Sequence, residues 1–256
     1  MKIRSVVAAA AIACVILLAP SAAAEAQEVK LLCVVALGPA LNELAPQFER
    51  TTGHRLAIRY GASPAFKQQI EAGETFDLAI LTAPVMDDLT KQGKVVGGTR
   101  AVIARSGIGV AVRANASSAD ISSVTAFKSA LLHATSITYA PEGAIRLHLP
   151  KVFDRLGIAE EIKVKTKPVK SVEYVLEAVA NGEAELGFAT IGAILSGRGT
   201  KLLGPFPAEL QGYVVFTAGV GAAAKEAEAA RALIRFLATP AAVSVIRAKG
   251  MEPGTP

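Results

Sequence analysis

The sequence predicts an α/β protein of two units, each a central, mostly parallel sheet flanked by helices, with two crossing strands as the hinge. Three observations carry this. Apolar runs alternate with amphipathic helical patterns from residue 29 onward, which is the signature of βαβ units. The alternation occurs as two series of similar length. The chain then closes on helical patterns with no strand series of their own, so they are expected to pack against the first unit.

The elements follow in order. Val29 to Leu37 reads as a buried strand. Leu41, Leu44 and Phe48 then recur at helical spacing, and Gly53 supplies the stop. Leu56, Ile58 and Tyr60 alternate along the next strand, RLAIRY, which halts at Gly61. Ser63-Pro64 opens a helix that carries Phe66 and Ile70 on one face and ends at Gly73. FDLAIL, Phe76 to Leu81, is the third strand. Strand, helix, strand, helix, strand implies a parallel sheet with right-handed crossovers.

The second series begins with GIGVAVR (Gly107 to Arg113) and SITYA (Ser136 to Ala140), both read as strands. A helix is expected over about Leu147 to Leu156, ended by Gly157. Lys163 to Lys167 alternates as a strand would, and Val172, Val175, Leu176 and Val179 mark a helix stopping near Gly182. ELGFAT (Glu185 to Thr190) and VVFTAGV (Val214 to Val220) complete the strands. The closing helix places Ala230, Leu233, Ile234 and Leu237 on one face and breaks at Thr239-Pro240. The expected division is residues 1–26 as a leader, 27–106 with 217–256 as a discontinuous first lobe, and 107–216 as the second.

The leader reading rests on Lys2 and Arg4, the apolar run VVAAAAIACVILLAP and the small residues SAAAEAQE. That is the pattern of a secretory signal peptide, with cleavage after Ala24 or Ala26. Without residues 1–26, the balance of 27 basic and 22 acidic residues becomes 25 and 21, a net charge of +4. The charge is spread along the chain with no basic run, so nucleic acid is not an expected partner. Cys33 is then the sole remaining cysteine and sits in the apolar run LLCVVAL, so no intrachain disulfide can form.

Enzyme signatures are missing. His54, His133 and His148 form no pair four residues apart, and there is no GxSxG elbow, Walker-A loop or complete dinucleotide fingerprint. No cofactor or metal is expected. Three turns instead invite a ligand: Ala36-Leu37-Gly38-Pro39, Gly61-Ala62-Ser63-Pro64 and Pro141-Glu142-Gly143-Ala144. Ligands of open α/β sheets sit beyond the carboxyl ends of strands. Helix N-termini there offer free N–H donors and partial positive charge, which suit an anion.

The chain also resembles the periplasmic solute-binding proteins of ABC importers with the type 2 fold, near their molybdate-binding branch. The resemblance is carried by VVALGPALNELAPQFERTTG, YGASPAFKQQIEAGETFDLAIL, VFDRLGI, ANGEAELGFAT, the ELQ region and FLATPAAVSVIRAKGMEPG. It implies an exported, monomeric binder of a small anion such as molybdate or tungstate, serving an ABC permease and ATPase complex. It also implies two lobes closing on the ligand.

The resemblance further implies a site. In molybdate binders two turn serines donate hydroxyls, two second-lobe residues give N–H groups, and a Tyr adds its hydroxyl. Carried over here, the first turn holds Ala36 and Leu37, so that hydroxyl is lost, while the second holds Ala62 and Ser63. The second lobe offers Ala144, Ile145 and Arg146, then Val172, and Thr190 stands at the Tyr position. Arg146 could pair with an anion directly. His148 and Lys67 are weaker candidates, and Asp77 and Glu142 are read as structural. Two alternatives stay open: the same fold for another solute such as an organic acid, and a sensory binding protein outside transport.

Overall fold

The computed structural model describes residues 27–254; the expected leader lies outside the described residues. The first series forms β1 (Glu28–Val34), α1 (Gly38–Thr52), β2 (Arg55–Gly61), α2 (Ser63–Glu71), β3 (Leu78–Thr82) and α3 (Ala83–Lys91). The second runs β4 (Ala101–Arg113), α4 (Val124–His133), β5 (Ile137–Thr138), α5 (Leu149–Leu156), α6 (Ala159–Lys165) and α7 (Val172–Asn181). It continues with β6 (Leu186–Thr190), α8 (Ile191–Ser196) and β7 (Thr200–Pro205). The chain ends on β8 (Tyr213–Val220), α9 (Ala227–Leu237), α10 (Pro240–Ala248) and β9 (Glu252–Pro253).

The strands follow the order β2-β1-β3-β8-β4-β6-β5, with β7 and β9 also paired to β4. β1 lies parallel to both β2 and β3, as a βαβ series requires. β5 lies parallel to β6. The crossing strands run against their neighbours: β8 is antiparallel to β3 and β4, and β4 is antiparallel to β6 and β7. β4 serves both sheets. Its residues Ala101 to Gly107 pair with β8, and Ile108 to Ala111 pair with β6.

Local chemistry explains where the elements stop. α1 ends on Gly53 in the left-handed conformation, φ 77°, with its N–H bonded to Glu49 O. α7 ends the same way on Gly182, φ 78°. α9 returns to the first sheet, where Phe236 meets Phe48 of α1 edge-on, with centroids 5.5 Å apart. A second aromatic cluster fills the other lobe: Phe188 of β6 lies 5.6 Å from Phe206 and 6.0 Å from Phe153 of α5.

Three segments differ from expectation. Lys163 to Lys167 is mostly the last turn of α6 rather than a strand. Glu160 and Glu161 in its first turn and Lys163 and Lys165 in its last complement the helix dipole, and Ile162 is its buried residue. The strand expected at Gly107 begins six residues earlier, because its first half pairs with β8. Pro141 to Ala144 does not start a helix. It is a run of turns, with Gly143 N–H on Ala140 O and Arg146 N–H on Gly143 O. α5 opens only at Leu149, where Pro150 occupies its first turn.

Candidate functional site

A cavity of about 280 Å³ lies where the carboxyl ends of β1, β2, β3, β5 and β6 meet. The first lobe contributes the end of β1 through Ala36, the start of α2, and Thr82 and Val85 around the start of α3. The second contributes the turns after β5, the start of α7, and Phe188 to Thr190 of β6. Phe216 of β8 completes the wall.

Ser63 is the most constrained polar group in it. The extended Ala62, φ −85° and ψ 140°, precedes the helix, and Pro64 holds the first turn. Ser63 is 4% exposed. Its Oγ accepts the N–H of Thr82 at 3.0 Å. The oxygen is thereby oriented, and the hydroxyl proton remains available to an acceptor in the cavity. The N–H groups of Ser63 and Ala65 stand in the first turn of α2, where no intrahelical acceptor exists. Thr190, at the end of β6, is 5% exposed and lines the same cavity. Its hydroxyl has no hydrogen-bond partner among the described residues.

The other expected site residues fall as follows. Ala36, Ala62, Ala144, Ile145, Arg146 and Val172 also line the cavity. Leu37 does not. A 3-10 turn over Val35–Leu37 separates β1 from α1 and turns Leu37 into the core, where it is 1% exposed. The donors of the first turn are accordingly those of Val35 and Ala36. Val172 is the first residue of α7, so its N–H is free of the helix ladder. Arg146 is exposed at the cavity mouth and has no carboxylate partner among the described residues.

Residues held to be structural or peripheral behave differently from one another. Asp77 is 4% exposed, and its carboxylate accepts from the N–H groups of Lys30, Lys225 and Glu226. Lys67 pairs with Glu71 one turn on, an exposed i,i+4 pair, and His148 bonds Leu210 O at 2.8 Å. Glu142, in contrast, lines the cavity. Among the described residues no cluster of His, Cys, Asp or Glu could hold a metal.

Sequence reasoning missed Thr82, Gln68, Lys170, Phe188 and Phe216, all of which line the cavity. Thr82 had a signal. LTAPV repeats the grammar of Ser63-Pro64, a hydroxyl residue at a strand end with Pro in the first turn of the following helix. Phe188 and Phe216 had none, because a strand's inward face is indistinguishable in sequence from its core face.

The family described as bacterial extracellular solute-binding proteins matches residues 29–252. A Pseudomonas protein named aconitate isomerase is 30% identical over 247 residues, covering 93% of this chain and 94% of its own. The molybdate-binding protein of Azotobacter vinelandii is 30% identical over 240 residues, covering 89% and 91%. The solved periplasmic molybdate-binding protein from that organism superimposes with a TM-score of 0.74 at 23% identity, over 87% of this chain and 98% of its own.

Proposed function

Because the chain belongs to the bacterial extracellular solute-binding protein family, we propose that it is the extracytoplasmic substrate-binding component of an ABC transporter. It captures a small anion, with molybdate or tungstate as the tetrahedral form, between two closing lobes. The lobes comprise residues 27–106 with 217–256, and 107–216; β4 and the entry to β8 form the crossings. Residues 1–26 direct export to the periplasm and are removed there. The partners are the anion and a permease–ATPase complex, and the protein works as a monomer.

The observation that carries this reading is the hydroxyl of Ser63. One lone pair of its oxygen accepts Thr82 N–H at 3.0 Å, which orients the hydroxyl and leaves its proton free for an acceptor in the cavity. Beside it stand the free N–H groups at the start of α2, and across the cavity those at the start of α7. Donors from both lobes favour closure only when an acceptor bridges them, so the ligand selects the closed form by its extra contacts.

The test is calorimetric titration of the purified protein with molybdate, tungstate, sulfate and phosphate at one ionic strength. Binding is expected, and Ser63→Ala weakens it by about 1–3 kcal/mol, roughly five- to hundredfold in Kd. Retained affinity in Ser63→Ala would move the site elsewhere.

A second reading is favoured by Glu142, a carboxylate lining the cavity, together with the relative named aconitate isomerase. On that reading the ligand is an unsaturated organic acid, and Glu142 takes a proton from one carbon while a proton returns to another, with no co-reactant. Incubating the protein with trans-aconitate and following the vinyl proton by NMR separates the two. The binding reading expects no conversion above that of Glu142→Gln.

A further inference from the structure

The cavity lining divides by exposure, and its two cationic residues are on the exposed side. Ser63 and Thr190, with 4% and 5% exposure, belong to the buried side, the floor. Gln68, Glu142, Arg146 and Lys170 line the cavity from exposed positions, the mouth. Arg146 comes from the turns that follow β5 and Lys170 from the segment leading into α7. Two separate loops of one lobe thus place an arginine and a lysine along the same cavity. Neither has a carboxylate partner among the described residues, although Glu142 lines the same cavity.

Volume separates floor from mouth as well. A cavity of about 280 Å³ has room for several waters. A tetrahedral oxyanion has five heavy atoms, and the hydroxyls of Ser63 and Thr190 are the buried donors available to it. Such an anion leaves the apolar walls of Val85, Val172 and Val175 and both cations unengaged. A guanidinium suits a carboxylate or phosphate through paired N–H donors, and an ammonium serves as a point charge beside it.

We propose that Arg146 and Lys170 form a second anion subsite at the mouth of the cavity. Its occupant is a small organic acid carrying at least two anionic groups on a short carbon skeleton. One group occupies the Ser63 floor, the skeleton lies against the apolar walls, and the second group meets Arg146 and Lys170. This rests on the anion-capture reading of the same cavity and specifies its ligand class.

The experiment titrates the purified protein with five probes: propionate, succinate, tricarballylate, 3-phosphoglycerate and molybdate. Each is repeated with Arg146→Gln and Lys170→Gln, exposed positions whose replacement leaves the core untouched. Succinate or tricarballylate is expected to bind at least tenfold more tightly than propionate, and each variant brings that ratio toward one. Stronger binding of 3-phosphoglycerate than of succinate, lost in the same variants, also supports the subsite and makes its preferred group a phosphate. Binding of molybdate with no preference for polyacids over propionate overturns the subsite and leaves anion capture standing. Equal loss of all anions in the variants overturns it too, since a general field would then be at work. Silence toward every probe overturns both readings.

Discussion

At Ser63 a neighbouring strand end decides what a side chain can offer. A serine hydroxyl has one proton and two lone pairs, and here Thr82 N–H takes one of the lone pairs. That bond fixes the oxygen in place and leaves the proton for an acceptor in the cavity. The first turn has no such device, because Ala36 stands there, 5% exposed and on the cavity wall. Ala36→Ser is expected to add a donor and to tighten molybdate binding by about 1 kcal/mol, roughly fivefold; titration of the variant beside the parent protein checks it. Cys33, fully buried in β1, needs no part in this chemistry. Burial pushes its thiol well above the ordinary range, which keeps it in the unreactive protonated form.

At the scale of elements, one side-chain amide braces the crossing of β4. Gln211 lies just before β8, and its side chain accepts the N–H of Ile108 at 2.8 Å and donates to the same residue's carbonyl at 3.1 Å. It thereby mimics a strand partner at the point where β4 passes from one sheet to the other. Gln211→Ala removes these two bonds, together with the amide's bonds to Phe206 O and from Gly212 N–H, without touching the cavity lining. It is expected to lower stability by about 1–3 kcal/mol, read as a shift in the urea midpoint. The legibility of the fold divides along a related line. α2 could be read because its signals are local: Ser-Pro at its start and Gly73 just past its end. α6 could not, because Lys163 to Lys167 contains one apolar residue, Val164, and that residue is 90% exposed. Its alternation therefore reports nothing about the core. Of the cavity lining, Ala36, Ala62 and Ser63 could be read from the turns that hold them. Leu37 was misplaced by a 3-10 turn that nothing in its own sequence announces, and the cationic mouth depends on two loops whose approach is set by tertiary packing.

For the molecule as a whole, Asp77 ties an early strand to a late helix approach. One of its oxygens receives Lys30 N–H at 2.8 Å, from β1. The other receives Lys225 and Glu226 N–H at 2.8 and 3.0 Å, from the approach to α9. Asp77→Ala leaves three buried or half-buried donors without their acceptor, and about 3 kcal/mol of stability should be lost. Denaturant unfolding measures that loss. Anion affinity of the folded fraction is expected to stay unchanged, since Asp77 lies off the cavity.

The pairing of β3 with β8 sets a timetable for the chain. Leu78 sits opposite Val220 in the middle of the first sheet. A polypeptide delivered amino end first, from a ribosome or through a pore, exposes one edge of β3 until residue 220 has arrived. Contacts so distant in sequence form slowly, and an unpaired strand edge is a place where other chains can add. The same delay leaves that edge open to any chain that meets it before the late strand arrives.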